Sequence, residues 1–164
     1  MAYSFTENRI GLPPMTDTGT TALVSIGTIA RAVDPTYGAG EFIYLLGVAS
    51  TVAGSVVTYN ATTGQTTLAA AGTNIPQPIA IAMSANVASQ YGWYQIAGQA
   101  VAAKQNVTAS FAAGNAVGIT ATGVLSNTAT GAEVFGAVAM AAATATATTV
   151  QVLLNRPHLQ GRIT

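Results

Sequence analysis

The chain has no cysteine, one histidine and one tryptophan, and only five Lys and Arg residues against five Asp and Glu. Without cysteine there can be no disulfide, thiolate nucleophile or cysteine-bound metal, although such a chain suits any redox compartment. Charged residues make up 6% of the sequence, against about 25% in an ordinary globular domain. The scattered carboxylates and single imidazole are too thin a supply for convergent, pKa-tuned groups, so no catalytic residue, cofactor or metal is expected. The formal net charge is zero and there is no basic run, which removes the electrostatic footprint of a nucleic-acid binder. No stretch of about 18 apolar residues is free of polar interruption, so no membrane partner is expected. The nearest, Val134 to Val150, is broken by Thr144, Thr146, Thr148 and Thr149, and its Ala-Thr alternation has the period of a strand. The opening residues Met1 to Glu7 lack a cationic stretch followed by an apolar core, so no signal peptide is expected.

What the chain does have is small and β-prone. Ala and Thr supply roughly a third of its 164 residues, and this length suits one compact domain. From Phe42 to Ala132 the only charge is Lys104, so the body is nearly neutral and favours association. Residues 1–21 read as an extended N-terminal arm, because Pro13-Pro14 opposes helix and ladder pairing and residues 16–21 are polar and turn-like. Residues 22–154 form the β domain and 155–164 a C-terminal tail. Within the domain, β-rich segments bounded by Gly, Asn and Pro fall at Ala22 to Gly27, Glu41 to Ala49, Ser55 to Asn60, Thr66 to Ala70 and Pro78 to Ser84. Others follow at Gly92 to Ala100, Asn115 to Thr120, Val124 to Ser126, Val134 to Ala141 and Thr148 to Leu154. This spacing predicts an all-β fold, a small β-barrel or β-sandwich of about ten short strands with no helix. Tyr59 to Leu68 reads as a hairpin with Asn60 and Gly64 able to take positive φ. In Ile79-Ala80-Ile81-Ala82-Met83 the large residues share one face, which fills a core, and the alanines share the other, which permits close approach.

Three blocks recur in the same order. Phe42 to Ala49 matches Trp93 to Ala100, Ala53 to Tyr59 matches Ala113 to Ile119, and Ala80 to Met83 matches Ala137 to Met140, at offsets of 51, 60 and 57 positions. Biased composition alone makes such matches cheap, but their shared order points to two similar β units closed against each other, a way to form a barrel without exposed edges.

Individual residues read blandly. Asp34 and Glu41 flank a Pro- and Gly-containing turn and could share a cation, but a carboxylate before proline more often supports the turn. His158 has no Asp or Glu nearby in sequence, which favours an exposed or interface role over a metal site. Gly38-Ala39-Gly40 lacks the phosphate-loop pattern, and no Gly-x-Ser-x-Gly elbow occurs. The glycosylation triplets at Asn60 and Asn106 are expected by chance in so Thr-rich a chain. Tyr91-Gly92-Trp93-Tyr94 could offer a sugar platform, yet Trp93 and Tyr94 point to opposite faces of a strand, which favours packing. Met83 and Met140 read as core fillers.

The run Ala32 to Thr51, with Val57-Thr58-Tyr59-Asn60, Ala82 to Ala88 and Gly92-Trp93-Tyr94-Gln95-Ile96, resembles the capsid decoration (cement) proteins of tailed bacteriophages. The resemblance implies a β-barrel or sandwich on the outside of an icosahedral shell, assembled in the host bacterial cytoplasm and located in the virion. There it would join neighbouring major capsid protein subunits, and it implies no catalytic residue. Phe5, Arg9, Pro13, Pro14, Arg156, His158 and Arg162 are the expected contacts, carried by the two tails. A homo-oligomer is expected, with a trimer favoured over a dimer. The rival expectation is a receptor- or carbohydrate-binding β module of a fibre or spike.

Overall fold

The computed structural model describes residues 3–6, 11–71, 76–104, 109–127 and 133–160. Among these residues there are eleven strands and no helix: β1 (Ser4–Phe5), β2 (Ile29–Asp34), β3 (Gly38–Leu46), β4 (Val56–Tyr59), β5 (Thr66–Leu68) and β6 (Ile79–Ala82), then β7 (Tyr91–Ala103), β8 (Ala116–Ala121), β9 (Val124–Ser126), β10 (Glu133–Ala139) and β11 (Thr149–Leu159). Alanine has high helix propensity, but the interleaved Val, Thr and Gly set a period of two, and period prevails.

Three expectations are corrected. Ala22 to Gly27 forms no strand; the strand lies just beyond it, at β2. β11 runs on to Leu159 through the segment expected as a tail. Pro157 is tolerated there because the strand bulges beside it, with Arg156 at φ 44°. The N-terminal segment lies on its own domain. β1 pairs with β2, Met15 is buried, and the Trp93 indole N–H donates to the Pro13 carbonyl at 3.0 Å. The two prolines stop ladder pairing there but do not stop burial. The hairpin of β4 and β5 forms as read, with Gly64 at φ 68°. Asn60 keeps a negative φ and instead accepts from the Thr62 and Thr63 N–H groups through its side chain.

All strand pairs are antiparallel, in the order β1-β2-β3-β7-β11-β10-β8-β9, with β6 on β7, β4 on β6 and β5 on β4. Advancing the labels of β2–β7 by four reproduces five of these pairs. The pairs β2·β3, β3·β7, β4·β5, β4·β6 and β6·β7 become β6·β7, β7·β11, β8·β9, β8·β10 and β10·β11, and all of them exist. The correspondence extends to single hydrogen bonds. Gly54 N–H donates to Ala82 O at 2.8 Å and Ala82 N–H to Ser55 O at 2.9 Å; Gly114 N–H donates to Ala139 O at 2.8 Å and Ala139 N–H to Asn115 O at 2.9 Å. Likewise, Val52 N–H donates to Ser55 Oγ, and Ala112 N–H to Asn115 Oδ1. Shared composition cannot duplicate hydrogen bonds, so the repeat is structural: β3–β6 form a first unit and β7–β10 a second.

The second and third sequence blocks match in register, and the first does not. The ladder ends Leu46↔Tyr91 and Ala103↔Thr149 are equivalent, which sets β3 against β7 at 57 positions rather than 51. The expected closure is also corrected, because the sheet does not close into a barrel. β5 and β9 are three residues long, too short to pair along β3 and β7. Each meets its unit's opening strand at one parallel bridge, Leu46↔Gln65 and Lys104↔Leu125.

β7 serves both units. It pairs with β3 along one edge and, successively, with β6 and β11 along the other, and it passes from one unit to the next at Gly98. Gly98 holds φ 92°, and a Cβ there would strike Ala39 O and Gly40 Cα. Three apolar clusters result. Ile43, Leu45, Val57, Ala80, Ala82, Tyr94 and Ile96 fill the first unit. Ala100, Val117, Ile119, Val150, Val152 and Leu154 lie in the cluster that fills the second, together with Ile79, Ile81 and Val56. The β4–β6 pair is therefore a wall between two cores, with alanines facing one and isoleucines the other, and all four residues of β6 are buried. Across β2, β3 and β7 lies the third cluster, where Tyr3, Phe5, Leu12 and Met15 cover Ala30, Ala32, Phe42, Tyr44 and Trp93. Its rings form edge and tilted contacts, with Tyr3–Phe42 centroids 4.8 Å apart and Phe5–Trp93 centroids 5.4 Å apart.

Candidate interaction surface

The residues expected to touch a partner divide by their surroundings. Phe5 packs on Trp93, and Pro13 is buried with its carbonyl engaged, so both serve this chain's own core. Pro14, Arg156 and His158 are exposed. His158 packs on Phe135, directly opposite it across the ladder, with ring centroids 5.6 Å apart. Arg9 and Arg162 lie outside the described residues.

Three charged residues come together at the meeting of β2, β3 and β11. Glu41 accepts from Arg31 through Oε1 at 3.1 Å and from Arg156 through Oε2 at 2.9 Å. The Arg156 hydrogen bond, aided by Arg31, holds the Glu41 carboxyl below the usual carboxylate range against a smaller opposing effect of burial. Both guanidiniums remain largely exposed, so the cluster is a surface clamp and contributes modestly to stability. It borders an open groove of about 460 Å³ lined by Thr6, Ala39, Gly40, Ala97, Gly98 and Asn155. Asp34 takes the turn role, its Oδ1 accepting from the Thr36 and Tyr37 N–H groups. Lys104 is buried at the end of β7, and its ammonium donates to the Ala145 and Ala147 carbonyls at 3.1 Å. Among the described residues, no group of three or more His, Asp or Glu could hold a metal ion.

The aromatic run is internal. Trp93 and Tyr94 are fully buried on opposite faces of β7, in different clusters, and Tyr91 stacks on Tyr44. The Tyr94 hydroxyl lies 2.9 Å from the buried Asn86 amide, and desolvation raises its pKa. Met83 fills a core as expected, whereas its counterpart Met140, expected to do the same, is 43% exposed.

Among the described residues, the exposed large apolar side chains other than Val52 and Val87 fall into two groups along the chain. One carries Leu23, Ile26, Ile29 and Val33, on the N-terminal segment and the outward side of β2. The other carries Phe135, Val138, Met140 and Leu153 on the outward side of β10 and β11, with Val138 directly opposite Leu153. The first went unread in the sequence because its strand was placed too early. The second was available in principle, since alternation along Val134 to Met140 sets Val138 and Met140 on the face opposite Ala137 and Ala139. No protein-family model, curated protein or solved structure matches the chain.

Proposed function

We propose that this chain is a structural virion protein that binds the outside of a tailed-phage capsid and stabilises contacts between major capsid protein subunits. The observation that carries the reading is the set of open apolar side chains Leu23, Ile26, Ile29 and Val33, the last two on the strand that also carries Arg31 of the Arg31–Glu41–Arg156 clamp. Open apolar positions rimmed by a few polar groups are the anatomy of a protein–protein contact. The resemblance of residues 32–51 to decoration proteins supplies the partner. Pro14, Arg156 and His158 are the exposed members of the expected contact set. Many symmetry-related copies on one shell make individually weak contacts persistent.

Co-sedimentation with undecorated tailed-phage capsids tests the reading. The full chain is expected to bind saturably, and Leu23→Asp and Val33→Asp, which change outward side chains, are expected to reduce occupancy at least tenfold while the far-UV spectrum stays unchanged. Absence of binding by the intact, folded chain overturns the proposal.

A further inference from the structure

Arg31 and Arg156 are the exposed Arg and Lys side chains among the described residues, since Lys104 is buried. Far apart in the sequence, both line the one groove at the meeting of β2, β3 and β11. Glu41 arranges them. It is the inner member of the trio, its side chain 19% exposed against 69% for Arg31 and 64% for Arg156, so the layer that meets solvent is positive. Each guanidinium uses Nε and Nη2 on a single Glu41 oxygen, Oε1 for Arg31 and Oε2 for Arg156. Of the five N–H donors of a guanidinium, the two on Nη1 and one on Nη2 are then left on each side. Among the described residues none of these is taken up. They are the end-on fork that grips an oxyanion through two parallel hydrogen bonds. Between the forks the groove is floored by Ala39, Gly40, Ala97 and Gly98, none with a side chain longer than a methyl, and Asn155 adds an exposed neutral amide. Its volume of about 460 Å³ falls in the range of sites that take organic ligands.

We infer that this groove binds an acidic segment of a protein partner, with one Asp or Glu carboxylate seated between the free forks of Arg31 and Arg156. Charge selects the occupant. Two guanidiniums and one carboxylate leave the trio a single positive charge, which one further carboxylate balances. A phosphate group, with a charge of about −1.5 to −2 at neutral pH, brings more than the groove can match. A nucleic acid needs several phosphates neutralised at once, and among the described residues no other Arg or Lys is exposed to meet them. Because Glu41 already holds both guanidiniums in place, the incoming carboxylate orders little that is not ordered beforehand. The small floor lets the segment's backbone lie close to the sheet. The inference specifies the chemistry at Arg156, one of the expected contacts, but it stands on the groove alone and does not require that the partner be a capsid.

The test uses the purified full chain, labelled with nitrogen-15, and an end-blocked hexaglutamate peptide in low-salt buffer at about pH 6.5, where the peptide carboxylates are ionised. The sequence is poor enough in arginine for each Nε–H resonance to be assigned by substitution. Those of Arg31 and Arg156 should shift saturably, with half-saturation at about 1 mM peptide or below, the regime of a single small contact. Arg31→Gln and Arg156→Gln should each weaken binding roughly fivefold or more, as the loss of a charge-assisted fork requires. Arg31→Lys keeps the charge without the fork and should lose as much as Arg31→Gln. Inorganic phosphate should bind more weakly than the peptide. Backbone resonances away from the groove should stay at the parent's positions in every variant, because the substituted side chains are exposed. No saturable shift up to about 5 mM peptide, binding that survives Arg31→Gln, or full affinity in Arg31→Lys would overturn the inference. Phosphate binding as tightly as the peptide would do the same.

Discussion

Arg156 occupies a backbone position that belongs to glycine. One repeat earlier the corresponding residue is Gly98 at φ 92°, whereas Arg156 holds φ 44°. A side chain in this region costs about 1 kcal/mol or more. The guanidinium that comes with it reaches Glu41 across the junction of the two units, so strain and ion pair oppose each other at one residue. Because the Glu41 pKa is depressed in the folded state, chiefly by Arg156, the stabilisation from this pair is present above the ordinary carboxylate pKa. It is lost as the pH falls through the depressed value. Arg156→Gly removes both effects, so its denaturation midpoint should exceed the parent's once the pH has fallen through the depressed Glu41 value, where only the strain relief counts, and the advantage should shrink as the pH rises towards 7. A variant less stable than the parent at the acidic pH would show that the backbone is not strained. The clamp itself was not legible in the sequence, since 115 positions separate Glu41 from Arg156 and only the fold brings them together.

At the scale of elements, strands whose large residues face inward were readable. Those that invert the pattern were not. Nine of the ten expected strands overlap β3–β11, because Val, Ile and aromatic residues in those segments mark the buried side. β2 escaped because its buried residues are Ala30, Ala32 and Asp34, while Ile29, Arg31 and Val33 point outward. Small residues face inward there because Phe42, Tyr44 and Trp93 already occupy the cluster beneath the N-terminal segment. That segment is fastened by a few identifiable contacts, of which the Trp93–Pro13 hydrogen bond is the most central. Trp93→Phe removes the donor, leaves a buried carbonyl without this partner and opens space in the cluster. It should cost about 1–3 kcal/mol from the unsatisfied group alone. Residues 11–24 should then become cleavable by protease well below the global unfolding midpoint. Equal resistance of parent and variant would mean that ring packing alone holds the segment.

The whole molecule is two units that cannot be separated. They share β7 as a strand and the β4–β6 pair as a wall, so neither keeps its core if the other opens. Unfolding should therefore be a single transition. Fluorescence of Trp93, which reports the cluster beneath the N-terminal segment, should coincide with far-UV dichroism, which reports the strands of both units. Ile81→Ala lies in the second unit's core on a first-unit strand. It should lower stability by about 2–5 kcal/mol and move both signals together; separated transitions would show that the units are independent. The shared wall has a further consequence during synthesis. All strands of the first unit have emerged once β7 ends, at Ala103, but the isoleucine side of the wall waits for β11, which ends at Leu159. At ordinary elongation rates that wait lasts on the order of 3–10 s. Throughout it, Val56, Ile79 and Ile81 form an uncovered apolar strip on a nascent chain with almost no charge to keep it apart from its neighbours. The crowding of ribosomes on the message, rather than the stability of the finished fold, then sets how much of the product aggregates.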